Sequence, residues 1–560
     1  MRPRARVRLA AAALVAALAG VAAAREAEPP SDGPFYVDVA GLSRFDYRSN
    51  NDFTGRKYFP QPMCGGVAIL DYDGDGRLDI FLTNGAKLPE LRKVDRSFHN
   101  CLLRGLPDGT YEDVTASARL AGADLDFSFG VAAGDYDNDG RPDLFLCQAG
   151  RNALYHNEGD GTFHDVTEAA GLAAKPADLL SVCAAWVDAD ADGRLDLVVS
   201  HYTYWSPATD VRCTIADAGE IYCTPKRYRS VPHSIYRNLG GGRFEDASQA
   251  AGFAAATNGK GMGIAIADVN GDDRMDVFVA NDTEPNFLYV NQGGFRFVEQ
   301  ASQWGVDYND RGETVSGMGA DAKDYDNDGH VDVFYNNLQM QVWGLFQNEG
   351  GRRFGYASPA TGILNLSRRF SGWSNGFVDY DNDGWKDIYS ANGDVDYLPV
   401  NGEQRDTMLR NRDGRSFEDV SERLGPDFVP LGYQRGSAFG DLNADGFPDL
   451  VVTSLGRRPR ILVSRGTNGN HWLVVDARGR ASNRDGIGCR MKLTTASGRT
   501  LYNHATTSVG FMSSSDRRVH FGLGREAQVR SLELRWPGGR VQTLASVPVD
   551  RVLVVEEPTW

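Results

Sequence analysis

The residues of this sequence with the clearest chemistry are aspartates. The pattern D-x-[DN]-x-D-[GD]-x-x-D occurs seven times, starting at Asp71, Asp135, Asp188, Asp268, Asp324, Asp379 and Asp441. Carboxylates at positions 1, 3, 5 and 9 of one tight loop converge on a single point, and the carbonyl of position 7 offers a further oxygen. Hard oxygen donors in a flexible cage suit Ca2+, whereas Mg2+ demands stricter octahedral geometry and gives up its water reluctantly. No His or Cys stands at the carboxylate positions, which disfavours transition metals. The expected ligands are Asp71, Asp73, Asp75, Arg77 and Asp79 in the first loop, and Asp135, Asp137, Asp139, Arg141 and Asp143 in the second. They continue as Asp188, Asp190, Asp192, Arg194 and Asp196, then Asp268, Asn270, Asp272, Arg274 and Asp276. The fifth set is Asp324, Asp326, Asp328, His330 and Asp332, and the sixth is Asp379, Asp381, Asp383, Trp385 and Asp387. Asp441, Asn443, Asp445, Phe447 and Asp449 complete the series, for up to seven calcium ions. In every set the fourth residue serves through its backbone carbonyl.

An EF-hand also begins D-x-D-x-D-G, but it ends in a bidentate Glu at position 12 and lies between helices. Position 12 here is Leu82, Leu146, Val199, Val279, Tyr335, Ser390 and Val452. The loops must therefore join strands, with the Asp of position 9 standing where an EF-hand uses its Glu. Glycine fills position 6 in every copy but the fourth, where the turn calls for positive φ. The fourth copy carries Asp273 there and Asn270 at position 3, so its ion binding should differ from the rest. Solvated acidic turns are the competing reading of any single copy, since Asp and Gly favour turns for their own reasons. Seven aligned copies weigh against it. Carboxylates so clustered repel one another unless a cation sits among them, and an ion bound only by the native loops would stabilise the fold.

Some repeated element must hold the loops alike. From Asp71 to Asp441 the mean period is about 62 residues, a spacing that signals blades or solenoid units. Between the loops recurs a second text, as in NALYHNEGDGTFHDVTEAAGL and HSIYRNLGGGRFEDASQAAGF, which reads as a hairpin. Two hairpins per repeat make a four-stranded blade. No repeat carries an amphipathic helix long enough to cover a sheet, so the blades must bury their faces on one another. Residues 33–48 match only the second half of the recurring hairpin and residues 459–466 only its first half, which predicts that the two ends pair and close a ring. The expected fold is all-β, a seven-bladed β-propeller over residues 33–466. These repeats resemble FG-GAP/VCBS repeats, the blades of integrin α-chain propellers and of many exported bacterial proteins.

After Gly466 the aspartate repeats stop, and short β-branched runs with glycine turns predict a small β domain over residues 467–557. This stretch resembles the ASPIC/UnbV domain in its NRDGIGCR run at Asn483 to Arg490, in VHFGLG at Val519 to Gly524 and in RWPGGR at Arg535 to Arg540. With the propeller, it makes the chain similar to bacterial-type members of the cartilage acidic protein family. The resemblance implies architecture and calcium binding but no reaction. One departure is Cys489, where a small Ala is usual.

Residues 1–24 read as a secretory signal peptide, with basic MRPRARVR, an Ala-rich apolar stretch and an A-x-A ending, which implies a secreted or periplasmic protein. Of the seven cysteines, Cys213 and Cys223 bracket a loop without apolar periodicity and form the expected disulfide. Cys64 with Cys101, and Cys147 with Cys183, are weaker candidate pairs, and Cys489 is expected to be an unpaired core residue. A net charge of −16 opposes binding to nucleic acid or to an anionic membrane. No segment after the leader is apolar enough to span a bilayer.

Catalytic motifs are missing: there is no HExxH, no GxSxG elbow and no P-loop. His504 and Ser508 read as turn or strand-surface residues, and the glycines of Lys260 to Gly263 as close packing near the ring axis. Tyr202, Tyr204, Trp205, Tyr222 and Tyr228 lie in a long insertion of the third repeat. They form either an aromatic platform for a sugar or protein ligand or a packed cover over the adjacent blade. The reading that follows is an exported, calcium-stabilised scaffold for adhesion or for binding a protein or glycan. The competing class is a calcium-dependent enzyme acting on polysaccharides; a third, suggested by the domain name alone, is an accessory protein of a biosynthetic pathway.

Overall fold

The computed structural model describes residues 35–216, 219–395, 402–466 and 468–559. The signal peptide expected over residues 1–24 lies outside them. Seven four-stranded antiparallel sheets follow one another along the chain. Their first strands are Val67–Leu70, Ser128–Gly134, Leu179–Val187, Gly261–Ala267, Ala320–Lys323, Gly372–Val378 and Gln434–Gly440. Each of these packs against the first strand of the sheet before and after it, and Gln434–Gly440 packs back on Val67–Leu70, so the circuit is closed. The fold is a β-propeller, and the first strands line its axis.

The ring closes as the two half-hairpins predict. Tyr36–Asp38 pairs antiparallel with Arg460–Ser464, Tyr36 opposite Ser464 and Asp38 opposite Leu462, and so supplies the outer strand of the last blade. Alternate residues of each strand enter the spaces between blades. Phe81, Leu102 and Leu144 fill one such space, and Trp186, Phe145 and Leu197 the next. Gly263 admits the neighbouring first strand: a Cβ there would lie 2.5 Å from Met318 O. The close packing read from Lys260 to Gly263 is thus present at the axis.

The C-terminal residues form two further sheets. His471–Arg478 lies between Val519–Gly524 and Val552–Glu556, and a four-stranded sheet runs in the order Thr500–His504, Arg490–Thr495, Val529–Arg535, Val541–Val547. Leu473, Val475, Met491, Leu493, Leu532 and Trp536 pack between them, with Cys489 buried among them as a free thiol. This module is not separate from the propeller. Its segment Ala505 to Ser515 is buried throughout and runs down the propeller axis.

That axial segment bonds to every blade. Ser514 exchanges bonds with the first blade, its N–H donating to Val67 O (2.9 Å) and its carbonyl accepting from Ile69 N–H (3.0 Å). Met512 O accepts from Val131 in the second blade (3.2 Å), and Met512 N–H donates to Cys183 Sγ in the third (3.0 Å). Ser508 Oγ donates to Ile264 O in the fourth blade (2.8 Å), and Gly510 and Ala320 of the fifth exchange two bonds of 2.8 and 3.1 Å. Phe511 N–H donates to Ser374 Oγ in the sixth (3.0 Å), and Ser515 Oγ accepts from Phe439 N–H in the seventh (3.1 Å). Ser508 is therefore a buried anchor of the plug, and His504, buried at the end of the strand that leads into it with Nε2 3.0 Å from Ile266 O, packs on the fourth blade; neither is the turn or strand-surface residue its sequence suggests. A short run of small polar residues carries no apolar period that would reveal burial.

The candidate cysteine pairs are corrected as well, and the alternative left open for the aromatic insertion is decided. Cys64, Cys101, Cys147 and Cys183 are all free and buried, each on or beside a blade strand where a thiol packs as a small apolar group. Only the Cys213–Cys223 disulfide forms among the described residues. Of the two readings of the aromatic insertion, the packed cover holds: Tyr202, Trp205, Tyr222 and Tyr228 are buried, and Trp205 Nε1 donates to Asp210 (2.7 Å). Desolvating these rings against the adjacent chain outweighs leaving them in water.

Candidate metal centres

All seven aspartate loops join the first strand of a blade to the second, and position 9 is in each case the first residue of that second strand. The glycines of position 6 have φ between 83° and 94°, and Asp273 takes φ 68° in the fourth loop. The carboxylates brace the turn. The first aspartate accepts the N–H of position 5 on one oxygen and of position 6 on the other, as Asp71 does from Asp75 (3.1 Å) and Gly76 (3.0 Å). The same pair recurs in the other loops. Position 5 in turn accepts the N–H of position 7, whether that residue is Arg77, Arg141, Arg194, Arg274, His330, Trp385 or Phe447.

The aspartate of position 9 ties the loop to the rest of its blade. One oxygen accepts the N–H of position 2, and the other an N–H at the end of the third strand at 2.6–2.8 Å. These residues, Asp79, Asp143, Asp196, Asp276, Asp332, Asp387 and Asp449, are buried. One oxygen from each of Asp71, Asp73 and Asp79 lies within 4.8 Å of the others. So do oxygens of Asp135, Asp137 and Asp143, of Asp188, Asp190 and Asp192, and of Asp324, Asp326 and Asp332. Such groups could hold a metal ion.

Electrostatics of the loops favour a cation. Burial, and then the neighbouring carboxylates, push Asp188 up to about 7 and Asp441 to about 7. Burial, followed by the Asp485 charge, lifts Asp135 to about 8. Asp79 reaches about 8, again chiefly through burial, although two backbone donors oppose the shift. Asp379, Asp381 and Asp387 are raised well above the ordinary carboxylate range, first by burial and then by neighbouring carboxylates, Asp383 acting on all three. Asp190 Oδ1 is buried without a hydrogen-bond partner. An all-oxygen set of this kind fits a hard divalent ion.

Several loops also hold a counter-charge that the sequence motif does not show. Arg104 Nη2 lies 2.8 Å from Asp73 and 3.1 Å from Asp75, Arg237 Nη2 2.6 Å from Asp190, and Arg410 Nη2 2.9 Å from Asp381 and 3.2 Å from Asp383. Each comes from the same point on the third strand. In the second blade that point is His156, 3.3 Å from Asp143 and raised to about 9 mainly by that bond; in the fifth it is Gln347, 2.6 Å from Asp326, and in the seventh Val463. The position 7 arginines of the first four loops also fold back on the position 5 carboxylate, while Nε of each donates to the third strand at 2.8–3.1 Å. The fourth loop is held from outside: Arg490 of the C-terminal module lies 2.5 Å from Asp268 and also pairs with Asp273, which Arg535 meets at 3.2 Å. Asp273 in place of glycine is thus a docking residue.

The structure adds a residue that sequence reasoning passed over. The asparagine ending the third strand, Asn157, Asn238, Asn291, Asn348 or Asn411, donates from Nδ2 to the position 2 carbonyl of the preceding blade's loop at 2.7–2.9 Å. It also donates to the position 8 carbonyl of its own loop and accepts an N–H from the following hairpin turn, as in the bonds of Asn291 to Met275 O and from Gly293. Each asparagine therefore clasps two neighbouring loops. Its recurrence in LYHN, IYRN, LYVN, LFQN and MLRN was visible, but its partner lies a blade away. The first and last blades, which meet where the ring closes, have Gly105 and Ser464 instead.

The module covers this face. Asn138 accepts from Arg484 N–H (2.7 Å), Asp383 O from Arg499 Nη1 (2.7 Å), and His520 Nε2 lies 3.0 Å from Gly446 O. Comparison with known proteins agrees with this architecture. An FG-GAP-like repeat model matches residues 71–146, 135–199, 220–279, 268–335 and 324–390, and an ASPIC and UnbV model matches residues 479–559. Cartilage acidic protein 1 of Homo sapiens is 25% identical over 545 residues, covering 92% of this chain and 74% of that protein. The Mus musculus protein of the same name is 24% identical over 543 residues, covering 92% and 75%. Among solved structures, an Agrocybe aegerita lectin recognising non-reducing terminal N-acetylglucosamine aligns over 70% of this chain and 87% of its own, at 15% identity and a TM-score of 0.36, a likeness too low to bear on function. With more than half its residues matched by the repeat model, the chain belongs to the FG-GAP-like repeat family and ends in an ASPIC and UnbV domain.

Proposed function

We propose that this protein is an exported, calcium-loaded scaffold that offers one face of its propeller to a protein or glycan ligand. The observation that carries the reading is the repeated all-oxygen loop, whose buried carboxylates are held above their ordinary pKa by burial and by one another. The residues that would hold the ion are the carboxylates of positions 1, 3, 5 and 9 with the carbonyl of position 7. A bound cation supplies the counter-charge that lets these groups ionise together. Arg104, Arg237 and Arg410 compete for the same carboxylates, so the first, third and sixth loops take calcium more weakly than the fifth and seventh. Arg490 gives the fourth loop a different affinity again.

The disulfide and the homology to cartilage acidic protein 1 support export, since disulfides persist in oxidising compartments. No helix among the described residues is long and apolar enough to cross a membrane. Because the C-terminal module sits on the aspartate loops, a large ligand meets the opposite face, where the third-blade insertion and residues 45–66 lie. Calorimetric titration of chelator-treated protein tests the metal half of the proposal. Uptake of several calcium ions in more than one affinity class, with a raised melting temperature, is expected. No heat and an unchanged melting temperature would overturn it.

A further inference from the structure

The axial plug stops short of the face that carries the third-blade insertion. Beyond it lies a cavity of about 170 Å³, walled by Phe59, Tyr202, Tyr222, Trp373, Met262 and Met318. Cys223, tied to Cys213, and Pro225 form part of its cover, and the exposed Thr224 with the half-buried Thr283 and Leu338 forms the rim towards solvent. An apolar cavity of roughly 150 Å³ is enough to hold benzene. A ligand of one ring and a short substituent therefore fits here.

Among the described residues, one charged side chain lines this wall. Asp282 is 4% exposed; its Oδ2 accepts the Tyr202 hydroxyl at 2.6 Å, and its Oδ1 is buried with no hydrogen-bond partner. Thr283 Oγ1, beside it, is likewise without a partner. The nearest charges are committed elsewhere: Lys260 Nζ donates to Tyr228 O (2.8 Å) and Ser230 Oγ (3.0 Å), and Glu284 accepts from Ser230 Oγ (2.7 Å). Burial pushes Asp282 up to about 6 against the opposing pull of the Tyr202 and Ser316 hydroxyls and of the Lys260 charge, which leaves the carboxylate mainly ionised at neutral pH. A buried anionic oxygen left unpaired is costly. Arg435 lies 3.9 Å over the Trp373 ring, so that indole already carries a cation and the attraction in the cavity centres on Asp282.

We propose that this cavity binds a small organic ammonium ion, its N–H donors on Asp282 Oδ1 and Thr283 Oγ1 and its apolar part against the aromatic and methionine wall. A charge-assisted hydrogen bond in a dry site supplies the specificity, and the aromatic wall adds a lesser cation–π attraction. A sugar would need many more polar partners than this wall offers. The site stands independently of metal in the aspartate loops, because it lies on the other face of the ring.

The test is calorimetric titration of the full-length protein with benzylammonium and with benzyl alcohol, its neutral counterpart of equal size. Benzylammonium should bind at least about ten-fold more tightly, the equivalent of a free-energy difference near 1.4 kcal/mol. Asp282→Asn keeps an acceptor for the Tyr202 hydroxyl and should erase that preference. Equal affinity for the two compounds, no binding of either, or a preference that survives in D282N overturns the proposal. The comparison of the two compounds on the unaltered protein stands even if D282N misfolds, and an unchanged calcium titration separates this result from the metal proposal.

Discussion

Gly510 sits in the axial plug against the sixth blade, and Gly510→Val tests whether that plug holds the C-terminal module in place. Its φ is 76°, and an added Cβ would meet Ser374 Oγ at 2.2 Å and Asn375 O at 2.6 Å. The left-handed backbone alone costs a β-branched residue about 1–2 kcal/mol, and overpacking a closed site adds about 1–3 kcal/mol. Together these approach the strength of a modest domain interface. Gly498→Val is the matched control, since Gly498 has φ 100° but nothing within 4 Å of the added atom. Limited trypsin digestion reads the outcome, because Arg517 and Arg518, just past the plug, are held by Asp476, Asp485 and Asp516 in the docked state. G510V should expose these bonds to rapid cleavage while the propeller core resists, and G498V should behave as the unaltered protein does. Equal digestion of both variants would refute the idea that the plug governs docking.

Three further outcomes are expected. Asn291→Ala removes donations to Ala189 O (2.7 Å) and Met275 O (3.1 Å) and leaves Gly293 N–H unpaired, so urea denaturation should show a loss of about 2–4 kcal/mol. A loss below about 1 kcal/mol would dismiss the clasp as incidental. Asp282, with its folded pKa raised to about 6, contributes stability below the ordinary carboxylate pKa that is lost as pH rises through 6. D282N should therefore gain on the unaltered protein by about 2–3 kcal/mol between acid and neutral pH, and a constant difference across that range would contradict the burial argument. Arg104→Gln should tighten calcium uptake by the first loop if the guanidinium competes for Asp73 and Asp75, whereas weaker uptake would show that the arginine braces the site instead.

The aspartate period exposed the blade number and the strand-to-strand placement of the loops, because each Asp of position 9 must begin a strand for its oxygens to reach two backbone donors. Ring closure was equally legible, since an unmatched half-hairpin at each end leaves an open edge that only the other end can fill. The plug was not. Thr506 to Ser515 is mostly small and polar, and its burial is satisfied by first-strand groups from all seven blades, which no local pattern encodes. The arginines that enter the loops were hidden likewise, because the position before the clasping asparagine differs from blade to blade. Aromatic residues of the third-blade insertion signalled burial area correctly but not its direction: they turn inward and enclose a chamber.

Ring closure and plug together impose an order on biogenesis. Tyr36–Asp38 waits for Arg460–Ser464 before it has a sheet to join, and pairing so distant in sequence is slow. The plug can seat fully only once all seven first strands surround it, since its partners come from every one of them. A chain released half-made would hold unpaired strand edges and an empty bore, features that chaperones and proteases recognise. Its C-terminal module thus doubles as a seal of completion, confirming the assembled ring before the molecule is fit for use.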